Sequence, residues 1–486
     1  MLRDRRVPAL CVSVALFAAV SSARAADAPV PLAQKPEVAA AIEVFDTWAD
    51  WTVRNREQPA VSIGIVHDQE LVWAKGYGYA DLARKTPATP ATAYRIASIS
   101  KTFTAHALLQ LRDAGKLQLD DPITKWIPEL KLANVDPQSP PITIRHLLTH
   151  TGGIPREVDG TYWNDMNFPT REQMLPVLAK MGVVWAPEKD WKYSNVAVSL
   201  AGYIVEAASG EPYAEYIARH VLALLQMSET RVIPPRDMPT LAVGYGMRVA
   251  GTARRVEPFF NGAYMTPASN LASTVDDLAK YIELQFRTAP GPVGGAQILK
   301  GSTLAEMQRI QWLQPDWKSG WGLGWSISRR DDQTRIGHGG SVPGHRTQIS
   351  FAPADKFGVV VLTNAADGRP GMYVNQAYSI VAPAIAKAAA AEKSAAKPDA
   401  SWSKYAGVYT WEDDEIHVAV LDGKLSMFDP SEDNPWATKV TLEPVSGNVF
   451  RQVGGDAAGE TVTFITDSSG KVTRLEAPGY YLVRRP

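Results

Sequence analysis

The sequence predicts a mixed α/β (α+β) fold: an antiparallel sheet flanked by helices, with an all-helical region, followed by a small C-terminal antiparallel β domain. Three observations carry this reading. Pairs of apolar segments that read as hairpins stand near both ends of residues 30–385, helical periodicity fills the sequence between them, and short alternating strands follow an Ala/Lys-rich stretch at 384–400. The chain has 486 residues, 45% of them hydrophobic, which is enough for a large core and suits about three folding units or one large domain with an appendage.

The first segment reads as a leader. Arg3, Arg5 and Arg6 precede an apolar run from Val7 to Val20 and the small-residue pattern Ala23-Arg24-Ala25, the signature of a secretory signal peptide over residues 1–25. Export to the periplasm or the exterior is expected; an uncleaved anchor is the other reading of the same run. The one cysteine, Cys11, falls inside this leader, so a chain starting at residue 26 has no thiol, forms no disulfide and relies on packing. The formal charge is −1, and removing four Arg and one Asp with the leader leaves 46 basic and 50 acidic residues. That balance, with no long Lys/Arg tract, argues against a nucleic-acid partner. No later apolar stretch approaches the roughly 20 residues of a spanning helix, so no membrane span is expected after cleavage.

The main unit, residues 26–385, opens with Val61 to Val66 and Leu71 to Gly76 flanking His67-Asp68-Gln69-Glu70, a hairpin pattern. Arg346 to Phe351 and Phe357 to Leu362 flank Ala352 to Lys356 in the same way. Among the helical patterns between them, Phe103, Ala107, Leu108 and Leu111 share one face and Gly115 is the stop signal. Residues 386–400 read as a linker reached through the end of a helix, with a break at Pro398. Residues 401–486 read as a small β-barrel-like domain: Ile416, Val418 and Val420 alternate toward Asp422-Gly423, Lys424 to Phe428 returns, and Val462 to Ile465 leads into Asp467-Ser468-Ser469-Gly470.

Chemistry enters where the helix around Phe103 begins. Ser98 and Lys101 are three apart, which on a helix places them one turn apart on one face, where an amine accepts a hydroxyl proton. The helix N-terminus there would stabilise a developing oxyanion. Alone, the pair reads first as an N-cap serine followed by a surface lysine. Two further groups change the weighting. Tyr193-Ser194-Asn195, 95 residues after Ser98, supplies a phenol and an amide at the start of an apolar helix, and a phenol beside a cation relays protons. Gly337-His338-Gly339-Gly340-Ser341, 145 residues after Tyr193, leads into the late hairpin, where Gly339 and Gly340 would let a substrate backbone approach a strand closely.

These three motifs together resemble the serine β-lactamase and penicillin-binding-protein superfamily, and more closely the branch of class C β-lactamases, D-alanyl-D-alanine carboxypeptidases, D-aminopeptidases and related esterases. Gly76 to Asp81, Ile144 to Thr151 and Gly322-Leu323-Gly324-Trp325 look like the same branch, and the likeness spans about residues 40–385. The C-terminal unit is similar to the lipocalin-like module attached to some members. The resemblance implies that Ser98 is acylated, that Lys101 is its base with help from Tyr193, and that Tyr193 protonates the leaving group. It implies that Asn195 hydrogen-bonds Lys101 and substrate, that His338 takes the place of a lysine, and that the backbone N–H groups of Ser98 and Ser341 form the oxyanion hole. No metal or other cofactor is required. The partner is a small-molecule or peptide acyl donor.

Departures from the family pattern shape the expected substrate. A histidine at 338 makes charge there depend on pH, and Gly339 lacks a hydroxyl often present, so carboxylate recognition and β-lactam hydrolysis are expected to weaken. The expected function is an exported serine hydrolase acting on amides or peptides, of D-alanyl-D-alanine carboxypeptidase or D-aminopeptidase type. An esterase or weak class C-like β-lactamase is the alternative, and a peptidoglycan- or peptide-binding sensor the non-enzymatic one. Lys318-Ser319-Gly320 is a rival third motif, but Trp321 to Trp325, directly after it, do not read as a strand and hairpin. His338-Gly339-Gly340 also matches an α/β-hydrolase oxyanion loop, yet no Gly-x-Ser-x-Gly elbow is present. His146, His150 and His345 lack metal-ligand spacing and read as structural. Trp312, Trp317, Trp321 and Trp325 read chiefly as packing, with Trp325 a candidate for the substrate cleft.

Overall fold

The computed structural model of the chain describes residues 30–289, 295–330, 333–395, 400–412, 414–421 and 423–485. The expected leader, with Cys11 and Ala25, lies outside these residues, as do Pro398 and Asp422.

Both expected hairpins form, and they meet. Strand β1 (Ala60–His67) pairs antiparallel with β2 (Glu70–Asp81), placing His67 opposite Glu70. Seven strands complete the sheet: β3 (Thr86–Pro87), β4 (Trp312–Leu313), β5 (Ser319–Trp321), β6 (Ser326–Arg330), β7 (Gln333–Val342), β8 (His345–Ala352) and β9 (Phe357–Thr363). The order is β3-β2-β1-β9-β8-β7-β6-β5-β4. The sequence-distant strands β1 and β9 are therefore neighbours, with Ile63 opposite Val361. Every residue of β9, and all of β1 but His67, is buried, because helices cover both faces.

On one face lie α1 (Pro36–Asn55) and the long helix α5 (Pro370–Ala395), with Phe45, Val359, Val361 and Tyr373 in a shared core. On the other face α4 (Val275–Gln285) presses onto β1 and β9. Gly64 and Gly358 make that approach possible, since a Cβ at either would collide with Val275 or Ile282. The helical region beyond contains α2 (Ser100–Asp113) and α3 (Asn195–Ser209), which pack on each other. Here the sequence pattern understates the burial. Helix α2 is buried around almost its whole circumference through Leu111, with only Gln110 half-exposed, so it is a central helix rather than a one-faced surface helix. It stops as expected at Gly115, which adopts φ +73°.

Helix α5 carries the chain through Ala395, so most of the stretch that reads as a linker is helical. Residues 400–485 then contain eight strands that close into a barrel: Gly407–Trp411, Asp414–Leu421, Lys424–Phe428, Val440–Ser446, Val449–Val453, Thr461–Thr466, Val472–Ala477 and Tyr480–Arg484. Closure comes from the first strand pairing with the last, Tyr409 opposite Arg484, which removes the free edges of a small sheet. Its own core gathers Tyr405, Tyr409, Val418, Phe450 and Phe464. No helix among the described residues is long and apolar enough to cross a membrane.

Candidate active site

Ser98 sits in a short 3-10 turn, Ala97–Ile99, that feeds directly into α2. No side chain caps α2 at Ile99, so Ser98 is not an N-cap serine. Ala97 is held at φ +50°, a left-handed conformation unfavourable for a residue with a Cβ. Such strain is commonly kept where a turn must aim a side chain. One turn into the helix, Lys101 is 1% exposed. Its Nζ donates to Ser98 Oγ at 3.0 Å and to the Ala268 carbonyl at 2.9 Å. Burial drives its ammonium down to about 7, with Glu157 opposing and Arg156 assisting that shift. A lysine so placed is substantially a neutral amine near pH 7, which is what a base for a serine hydroxyl requires.

Tyr193, Ser194 and Asn195 are fixed by the start of α3. Ser194 is the N-cap, its Oγ accepting from Ala197 N at 2.8 Å and donating to the Pro155 carbonyl at 2.6 Å. His150 Nδ1 accepts the Ser194 N–H at 3.2 Å, and its ring packs 4.5 Å from that of Tyr193. This is the structural role expected for His150. The Tyr193 ring lies 5.0 Å from Lys101 Nζ, and its phenol is within the influence of the Ser98 side chain. Burial pushes that phenol up to about 12, so it is a protonated donor at neutral pH, not a phenolate. Asn195 departs from expectation. Its Nδ2 donates to Glu157 Oε1 at 2.5 Å, and Lys101 spends its hydrogen bonds on Ser98 and Ala268.

The third motif lies on β7, paired with β8 so that His338 faces Ile349 and Ser341 faces Arg346. His338 is buried, and burial together with Lys101 pushes its imidazole down to about 3. The expected pH-dependent cation is thus a neutral ring near pH 7. Its Nδ1 stands 2.7 Å from the Gly339 carbonyl; because a carbonyl only accepts, the proton is on Nδ1 and Nε2 is an unpartnered acceptor. The two glycines divide the role expected of both. Gly339 is exposed on the cleft, whereas Gly340 makes room for the Ile96 carbonyl and the Thr347 hydroxyl, bringing β7 against the turn that carries Ser98. Ser341 is exposed on the same cleft.

Ser98, Tyr193, Asn195, His338, Gly339, Gly340 and Ser341 all line one cleft of about 1310 Å³. Trp325 does not. It is completely buried, 5.2 Å from the ring of Phe351 and 6.1 Å from that of Tyr281, and belongs to the core between sheet and helices. The strand entry after Gly324, at φ +80°, turns its indole inward. Trp317 is exposed away from the cleft, and Trp321 backs the site, 5.6 Å from His338 and 5.9 Å from Tyr193. Lys318 is exposed and Ser319 bonds Asp316, so the rival motif contributes nothing to the cleft. His146 takes part in a capping box at Thr143, and His345 is buried with its ring 6.2 Å from that of Tyr94.

A family model described as Beta-lactamase matches residues 45–382. The chain belongs to the Beta-lactamase family. Protein flp of Staphylococcus aureus strain MW2 is 30% identical over 329 residues, 66% of this chain and 62% of that protein. Beta-lactamase-like protein 2 of Dictyostelium discoideum is 28% identical over 327 residues, 66% and 58% of the two chains. The chain thus spans less than two thirds of these curated relatives. Among solved structures, the octameric penicillin-binding protein homologue from Pyrococcus abyssi superposes with a TM-score of 0.62 at 25% identity, covering 91% of this chain and all of that one.

Several cleft residues of this Beta-lactamase family member carry no sequence signal that reveals them. Glu157 and Arg156 reach the site from a loop 38 and 39 residues before Asn195, held by the Asn195 N–H donating to the Arg156 carbonyl at 3.0 Å. Trp191 also lines the cleft, two residues before Tyr193, and its closeness to that motif is the one available hint. The Ala268 carbonyl that orients Lys101 is a backbone group and leaves no trace in residue type.

Proposed function

We propose that the chain is an exported serine hydrolase that works through an acyl-enzyme on Ser98, with amide or peptide substrates. The observation that carries the reading is the 3.0 Å contact between a buried Lys101 amine and Ser98 Oγ. Ser98 Oγ attacks the substrate carbonyl as its proton passes to Lys101. The resulting oxyanion would be met by the backbone N–H groups of Ser98 and Ser341. When the intermediate collapses, the Tyr193 phenol gives its proton to the departing amine and recovers one from the Lys101 ammonium. Water, deprotonated by the same Lys101/Tyr193 pair, then attacks the ester carbonyl and releases Ser98. No step calls for a metal.

Between the two peptide readings, the neutral His338 favours a D-aminopeptidase type over a carboxypeptidase. A carboxypeptidase of this kind must hold a substrate carboxylate, and a ring at about 3 supplies no positive charge for it near pH 7. The same feature supports esterase activity as a second reading over efficient β-lactam hydrolysis.

The test is intact-mass measurement after incubation with a fluorophosphonate and, separately, with a penicillin while the drug is followed in solution. A fluorophosphonate adduct that maps to Ser98 and vanishes in Ser98→Ala is expected, with slow or no loss of penicillin. Absence of the adduct in the wild type, or its persistence in Ser98→Ala, overturns the acyl-enzyme reading. Rapid drug loss would replace the peptidase reading by a β-lactamase.

A further inference from the structure

Glu157 is a cleft carboxylate whose neighbours hold it still. Its Oε1 accepts from Asn195 Nδ2 at 2.5 Å, and its Oε2 accepts from the hydroxyls of Tyr264 at 3.1 Å and Tyr162 at 3.4 Å. The segment itself is pinned, because Pro155 and Arg156 carbonyls receive hydrogen bonds from Ser194 and Asn195. Glu157 remains half-exposed on the cleft, and no Lys or Arg pairs with it among the described residues.

This contact settles which way the Asn195 amide points. A carboxylate oxygen only accepts, so the group facing it is the NH₂, and Oδ1 is the end left over. Asn195 Oδ1 is buried without a hydrogen-bond partner, and so is His338 Nε2. Both side chains are 5% exposed and line the cleft with Ser98. The Glu157 carboxylate is therefore the acceptor open to the cleft, whereas the Asn195 amide oxygen and the imidazole nitrogen are enclosed. Of the three arginines that line the cleft, two are engaged with other groups and the third lies on the cleft wall. Arg255 pairs with Glu257 at 2.8 Å, Arg346 donates to the Val342 and His345 carbonyls, and Arg156 lies over the Tyr193 ring at 5.2 Å.

We propose that Glu157 is a specificity-determining residue that binds a protonated amine of the acyl donor. Substrates then carry a free ammonium group close to the scissile carbonyl, as an N-terminal residue does. This rests on the acyl-enzyme reading of Ser98. A cleft carboxylate fixed by Asn195, Tyr264 and Tyr162 binds a charged N–H donor more strongly than a neutral one. An N-acylated substrate would lose the charge and meet Glu157 with a neutral group instead.

The experiment compares D-alanine p-nitroanilide with its N-acetyl form, on the wild type, Glu157→Gln and Glu157→Asp. Fluorophosphonate labelling of Ser98 is run alongside. The wild type should favour the free amine at least tenfold in kcat/KM. Glu157→Gln should lose most of that preference, chiefly through KM, while still being labelled, and Glu157→Asp should recover part of it. A pH profile adds a readout that a packing role would not move. Lys101 is faced by Glu157, Arg156, Tyr193, His150 and His338; Glu157 is the one carboxylate among these and favours the charged form of the amine. Glu157→Gln should therefore shift the acidic limb of p-nitrophenyl acetate hydrolysis to lower pH. Equal turnover of the N-acetyl form, or a preference unchanged in Glu157→Gln, overturns the proposal. Loss of fluorophosphonate labelling in the wild type overturns the acyl-enzyme reading instead.

Discussion

Lys101 Nζ stands 3.0 Å from Ser98 Oγ while the Ala268 carbonyl, at 2.9 Å, holds the amine from the other side. Both contacts use the proton-bearing side of an amine that burial has brought down to about 7. The base form must be neutral to receive the Ser98 proton, so kcat/KM should fall as pH drops through about 7, tenfold per unit well below it. Lys101→Arg should abolish acylation, because a guanidinium stays charged at any working pH. Rates of Ser98 labelling by a fluorophosphonate between pH 5 and 9 check this; a flat profile below pH 7 would remove Lys101 as the base.

His338 lies within the electrostatic reach of that amine, and each disfavours charge on the other. His338→Lys would introduce a permanent positive charge beside Lys101, or force the two to share one. Like charge disfavours the ammonium, so the acidic limb should move to lower pH, whereas His338→Gln, which stays neutral, should leave it near the wild-type position. Profiles of p-nitrophenyl acetate hydrolysis for the three proteins distinguish the cases. Identical limbs in His338→Lys and the wild type would mean that the two side chains do not sense each other.

The strain at Ala97 makes a separate prediction. Holding an alanine at φ +50° costs about 1 kcal/mol, and a glycine there loses a similar ~0.5–1 kcal/mol through its freer unfolded chain. Ala97→Gly should therefore change stability by less than about 1 kcal/mol and retain Ser98 labelling. Ala97→Val, β-branched and with no exposed surface to relax into, should lower Tm and slow labelling at least tenfold. Thermal melts with labelling rates measure both; a valine variant as active as the wild type would show that the turn does not need its strained geometry.

How much of this was legible in the sequence depends on the range over which each feature is encoded. Apolar segments on either side of a short turn, His67 to Glu70 in one case and Ala352 to Lys356 in the other, marked both hairpins, because a hairpin joins neighbouring stretches of chain. The spacing of Ser98 and Lys101 marked a hydroxyl and an amine that meet in the structure, because one helical turn is local too. Trp325 was misleading: nearness in sequence to the third motif does not say on which side of the sheet an indole lands, and here it lands in the core. The neutrality of His338 depends on burial by distant elements, so residue type alone suggested a switch. Glu157 joins Asn195 through a loop that no spacing rule connects to α3. Gly340 was recognised as a close-approach position, but the backbone that approaches it is Ile96 of this chain, not the substrate.

Four buried imidazoles give the fold a pH dependence of its own. His106, His338 and His345 are pushed down to about 4, about 3 and about 3, and His150 well below the ordinary 6.5, in each case first by burial. In the unfolded chain these groups take up protons as pH falls through about 6.5, while the folded protein does not. The unfolded state then binds more protons, so stability rises with pH across this window and is lost as pH falls from about 6.5 toward the folded values. Each such histidine contributes a slope of about 1.4 kcal/mol per pH unit there. Four together would exhaust a typical stability of ~5–15 kcal/mol within a few units. Thermal melts should show Tm nearly constant above pH 7 and dropping steeply between pH 6 and 4.5. His106→Gln, which keeps a polar side chain beside Tyr281 but cannot titrate, should flatten that drop by about one proton's worth of slope. A Tm unchanged down to pH 4.5 would mean that these rings reach water and titrate in the folded state.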